Sequence, residues 1–93
     1  MYTNFTWDEQ KAELNSTKHK VCFVEAVTIF LDPFAREYFD DDCGDEERWV
    51  TIGKSVRERL LVVVYTEPEE NTARIISARL ATNSERKDYE ERV

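Results

Sequence analysis

The sequence predicts an α+β fold: an antiparallel sheet of about four or five strands packed with two N-terminal helices and one C-terminal helix. Three observations carry that expectation. The run "RLLVVVYT" (59 to 66) is apolar on both pleat faces, as a central strand must be, while "RWVTIGKSV" (48 to 56) and "ARIISARLA" (73 to 81) alternate like half-exposed neighbours. The links between them, "RE" and "EPEENT", are too short for a crossover, so the three strands should form an antiparallel meander. Phe23, Ala26, Val27, Phe30 and Leu31 fall at helical spacing on one face.

In chain order, residues 2 to 7 alternate loosely through Tyr2, Phe5 and Trp7, which predicts a short first strand, and Asp8 behind them is a good helix N-cap. The segment "EQKAELNSTKHK" has strong helix formers but only Ala12 and Leu14 as apolar residues, so its helix should be mostly exposed. The second, amphipathic helix starts near Phe23 and stops at Asp32-Pro33. "FAREYF" (34 to 39) follows, then the acidic loop "DDDCGDEE" (40 to 47). Thr82 and Glu85 make a capping box that opens a last helix reaching about residue 92, with Arg86, Tyr89 and Val93 on one face. Ninety-three residues with 41% hydrophobic content suit a single domain spanning 1–93.

The formal net charge is −7, yet residues 21 to 50 hold nine acids and two bases, so the whole imbalance lies there. The remainder is near neutral, with room for a local positive patch able to meet a polyanion. Cys22 and Cys43 are too few for a disulfide framework and lack metal-ligand spacing; free thiols are expected. The longest apolar stretch, Leu60 to Tyr65, is far shorter than a bilayer span, and no apolar leader follows Met1. A soluble, cytoplasmic protein with no membrane partner is expected.

Two arginines stand in the 73 to 81 strand, and strict alternation puts Arg74 and Arg79 on opposite faces. A guanidinium cannot be deprotonated, so each needs solvent, a carboxylate or an anionic ligand. Arg79 precedes the helix carrying Arg86 and Tyr89; its spacing to Glu85 favours an ion pair over an anion site. "IGKS" (52 to 55) resembles the end of a P-loop, but Arg48 stands where the first glycine is needed and a strand follows, so that reading fails. Lys54 remains as a cation at a strand end. Lys18-His19-Lys20 closes the first helix, where basic groups complement the dipole, and His19 alone has an unperturbed pKa near neutrality. Asp40, Asp42 and Gly44 imitate an EF-hand start, but the glycine is one position early, so a solvated or partner-binding loop is expected instead.

Taken together, the ordered motifs WDExKA, KH, FxEA, DP, EER, IGKS, RLLVVV, RIISARxAT and ERxDYE cover nearly the whole chain, and they resemble the BrnT family of bacterial type II toxins. The resemblance implies a RelE-like fold, an endoribonuclease that cuts RNA and inhibits translation without a metal or other cofactor, and a BrnA-type antitoxin as partner. DNA would be met only through that antitoxin, and a homodimer or a toxin–antitoxin heterotetramer is implied. Carried over by motif, the catalytic candidates are Arg79, Lys54 and His19, and the RNA-binding candidates Lys18, Arg86 and Tyr89. Arginine can grip nonbridging phosphate oxygens, lysine offers a point charge, histidine can exchange a proton, and tyrosine can stack on a base or donate a hydrogen bond. The chain departs from the family pattern at Lys20, Cys22, Asp42, Cys43, Asn83 and Ser84. The alternative is a weakened or catalytically inactive interaction module that binds a DNA-binding antitoxin in a repressor complex.

Overall fold

The computed structural model describes residues 2–40 and 47–91. The acidic loop from 41 to 46, with Asp42, Cys43 and the EF-hand-like spacing, lies outside them, as does Val93. Five strands, β1 (Asn4–Thr6), β2 (Arg36–Asp40), β3 (Arg48–Lys54), β4 (Leu60–Glu69) and β5 (Thr72–Leu80), form one sheet in the order β1-β5-β4-β3-β2. The apolar run lands in the middle as expected: Leu60 to Val63 and Tyr65 are buried, and β4 is covered on both faces. Its hairpin to β5 is tighter than the sequence suggested. Pairing continues to Glu69 and Thr72, leaving a two-residue turn in which Asn71 takes the left-handed conformation (φ 63°) that asparagine tolerates.

The sheet is mixed, not wholly antiparallel. β1 runs parallel to β5, with Asn4 opposite Thr72 and Thr6 opposite Arg74. Three residues carry no signal of strand direction; what seats them is the edge left open by β5 and the Asn71 carbonyl, which accepts from the amides of Thr3 and Asn4. Beyond Arg74, where β1 ends, Asn15 takes over. Its buried side-chain amide donates to the Ala78 carbonyl (2.8 Å) and accepts from the Ala78 amide (3.1 Å), as a strand would. Asn15 belongs to α1 (Glu9–His19), which Asp8 caps as expected.

One face of the sheet carries α1, α2 (Phe23–Ala26) and a 3-10 helix (Val27–Leu31) over the larger core. The single amphipathic helix expected over 23 to 31 is therefore replaced by one α-turn running into a 3-10 segment. With about three residues per turn, Phe23, Ala26 and Ile29 line up in the core, and Leu31 is left 68% exposed. The opposite face carries α3 (Asn83–Glu90), capped by the expected reciprocal bonds of Thr82 and Glu85, over a smaller core of Val50, Ile52, Leu60, Val62 and Tyr89.

The glycine of IGKS has a packing role. A Cβ on Gly53 would lie 3.1 Å from the Cβ atoms of Ala35 and Ile29 and 3.2 Å from the Ile29 carbonyl oxygen, because the 3-10 helix rests directly on β3. Gly53→Ala should destabilise the fold by about 1–3 kcal/mol, the usual range for overpacking. Urea unfolding would measure it, and an unchanged midpoint would remove this close approach from the account.

Candidate functional site

Of the six expected residues, Arg79, Lys54 and Tyr89 meet at the sheet face under α3, and an irregularity in β5 decides which arginines share that face. Ser77 pairs with Val64 but Ile75 with Tyr65, so Ile76 is an extra residue and the alternation reverses there. Arg74 and Arg79 consequently share one face, correcting the opposite-face expectation. Arg79 stands across from Val62, and Lys54 across from Leu60, so both project on the α3 side, flanking β4.

Arg79 meets Glu85 with both guanidinium ends, Nη1 to Oε1 at 2.7 Å and Nη2 to Oε2 at 2.9 Å, and its side chain is 40% exposed. The ion pair anticipated from spacing is present. Glu85 also accepts from the Thr82 amide (2.8 Å), and the Arg79 guanidinium holds its carboxyl down at about 2. One helical turn on, Tyr89 donates its hydroxyl to Asp32 Oδ2 at 2.6 Å, and the same oxygen accepts from the Lys54 amide at 2.8 Å. Although burial raises the Asp32 carboxyl, the Tyr89 hydroxyl and the Lys54 and Phe34 amides outweigh it and leave it lowered. The Lys54 side chain is exposed and makes no ion pair among the described residues.

Tyr89 is 6% exposed and part of the small core; burial and the bond to Asp32 push its hydroxyl up to about 12. Its ring is thus not open to stack on a base, one of the two roles offered for it, and its hydroxyl hydrogen bond goes to Asp32. Arg86 lies on the exposed side of α3 rather than sharing the Tyr89 environment. Lys18 and the half-buried His19 lie in the last turn of α1, the helix packed on the other sheet face.

Three participants lie outside the expected set: Arg36, Asp88 and Asp32. Arg36 of β2 pairs with Asp88 of α3, and with Tyr38, Ile52, Ser84 and Glu85 they line a cleft of about 560 Å³ between α3 and the sheet. Asp32 was read only as a helix stop. The signal available in sequence was the recurrence of acids at Glu85 and Asp88, three apart on one helix face and therefore able to meet cations from neighbouring strands. The cleft is thus bordered by guanidinium groups already seated on carboxylates.

A family model described as "Ribonuclease toxin, BrnT, of type II toxin-antitoxin system" matches residues 7–85. No curated protein matches the sequence. The chain is similar to the crystal structure of the Brucella abortus ribonuclease toxin BrnT, with a TM-score of 0.66 and 24% identity over 87% of this chain and 100% of that one. That likeness shows a shared α+β fold.

Proposed function

We propose, on the premise that the chain belongs to the BrnT family of ribonuclease toxins of type II toxin–antitoxin systems, that it is a metal-independent endoribonuclease which inhibits translation by cutting RNA. It acts in the cytoplasm and is neutralised by a BrnA-type antitoxin, through which alone it meets DNA. The observation that supports this reading best is the projection of Arg79 and Lys54 from one sheet face on either side of β4. Cleavage without a metal requires the 2′-hydroxyl to be placed in line with phosphorus and the charge gathering on the phosphate to be stabilised. Arg79 can offer two parallel N–H donors to nonbridging oxygens, Lys54 a mobile point charge, and the exposed Arg86 a contact to flanking backbone.

His19 and Lys18 come from the last turn of α1, on the helix layer opposite α3, so we assign them a contact with more distant RNA in preference to proton transfer at the scissile phosphate. The test is cleavage of end-labelled RNA in EDTA by wild type, Lys54→Ala and His19→Gln, with folding checked by circular dichroism. Wild type should cut; Lys54→Ala should be slower by about 10- to 100-fold, and His19→Gln by far less than the 10²–10⁴-fold that loss of a general acid or base costs. A loss in that larger range would return His19 to the chemistry. Dependence on added metal would overturn the metal-free mechanism, and failure of every form to cut would leave the noncatalytic interaction module.

A further inference from the structure

On the face opposite Arg79 and Lys54, a pocket of about 350 Å³ opens between Tyr2, Phe30, Glu37, Glu67 and Asn71. Its aromatic wall is Tyr2 and Phe30, edge to face at 5.5 Å between centroids, and both rings pack edge to face on the buried Tyr65 beneath them, at 5.5 and 5.1 Å. Two carboxylates border it. Glu67 accepts from the Tyr2 hydroxyl at 3.0 Å, and Glu37 accepts from the Tyr65 hydroxyl, which is itself 2.8 Å from Thr51 Oγ1. Neither carboxylate pairs with a lysine or arginine among the described residues. Its carboxylates are oriented by neutral donors, and among the described residues no cation pairs with them.

We propose that this pocket receives the cationic end of an arginine or lysine side chain presented by a protein partner. The chemistry selects the occupant. Phosphate or nucleic acid would be repelled by two carboxylates, and an apolar group would bury them without partners. A guanidinium or ammonium satisfies both acids while its methylene stem lies against the aromatic rings. A polypeptide source is favoured by position: Glu37 lies on β2, the terminal strand of the sheet, whose outer backbone edge pairs with no strand among the described residues and so suits an extended segment running past the pocket. The identification of that partner class as the antitoxin rests on the family reading; the recognition of a cation does not.

The test is a titration of the full chain, followed by ¹⁵N–¹H spectra, with Ac-Gly-Arg-Gly-NH₂, its citrulline counterpart and spermidine. The arginine peptide should shift Tyr2, Phe30, Glu37, Glu67 and Asn71, citrulline should not, and Glu37→Gln with Glu67→Gln should weaken binding at least about tenfold. Glutamine keeps an acceptor for each phenol, and the single exposed Glu67→Gln serves if the double variant misfolds. Absent shifts, equal binding of citrulline, or indifference to the glutamine variants would overturn the cation site. Preferential binding of spermidine over the peptide would overturn the protein side chain as its occupant. None of these readouts depends on RNA cleavage, so the nuclease reading stands or falls separately.

Discussion

Glu25→Ala should cost about 3 kcal/mol or more, a large share of the 5–15 kcal/mol that stabilises a domain of this kind, and should lower Tm by about 12 °C or more. Glu25 is 4% exposed, and its carboxylate organises the turn between β3 and β4. It accepts from Ser55 Oγ at 2.7 Å, from Arg59 Nε at 2.9 Å and from Arg59 Nη2, while the same guanidinium donates to the Lys20 carbonyl at 3.1 Å. Truncation strands Arg59 and Ser55, and removal of one partner is what makes a buried pair expensive. A Glu25→Met, Arg59→Met double variant should therefore recover part of the loss. Urea unfolding measures both; a single-variant cost below about 1 kcal/mol would mean the pair behaves like an exposed one.

Acid should probe this network and the separate Arg79–Glu85 pair. The Arg59 hydrogen bonds, opposed by burial and helped by Ser55, lower the Glu25 carboxyl from 4.5, and the Arg79 guanidinium lowers Glu85 to about 2. A depressed carboxyl stabilises the native state above its unfolded value, and that stability is lost as pH falls through its folded value. Stability should accordingly decline from about pH 4.5 toward 2, less steeply when Glu85 is replaced by glutamine.

What could be read from the sequence follows from which signals are local. The central strand, both cap sites and the Arg79–Glu85 pair were legible because an apolar run, an N-cap residue and a short spacing act within a few residues. The 23 to 31 segment departs from the expected helix because Phe23 and Ala26 fit a period of 3.6 and of 3.0 equally well, while Val27 fits only the first and Ile29 only the second. Ile29 broke the tie only once β3 came close at Gly53. The direction of β1 and the extra residue at Ile76 depend on strands more than sixty residues apart or on a register that no single strand encodes. That one inserted residue decided the candidate site, since it moved Arg79 relative to Arg74. Tyr89 shows the converse: the motif was visible, but its burial came from the sheet beneath it.

Arg79 is the position where the nuclease reading is most exposed. Arg79→Ala should reduce RNA cleavage by about 10²–10³-fold, the usual consequence of removing a donor that stabilises developing charge. Arg79→Lys should recover little, because the fork that now grips both Glu85 oxygens would be replaced by a single rotatable ammonium. Glu85 is ionised throughout the neutral range and already holds the guanidinium, so phosphate must compete with it. Glu85→Gln retains the capping function open to glutamine but surrenders the negative charge, and RNA should then bind several-fold more tightly while cleavage persists. Steady-state cleavage kinetics separates the cases. A fall in KM for Glu85→Gln alongside a fall in kcat for Arg79→Ala identifies Glu85 as a competitor for the phosphate site. Full activity in Arg79→Ala would leave the pair as a strut between β5 and α3 and would move the search for the phosphate site to Lys54 and Arg86.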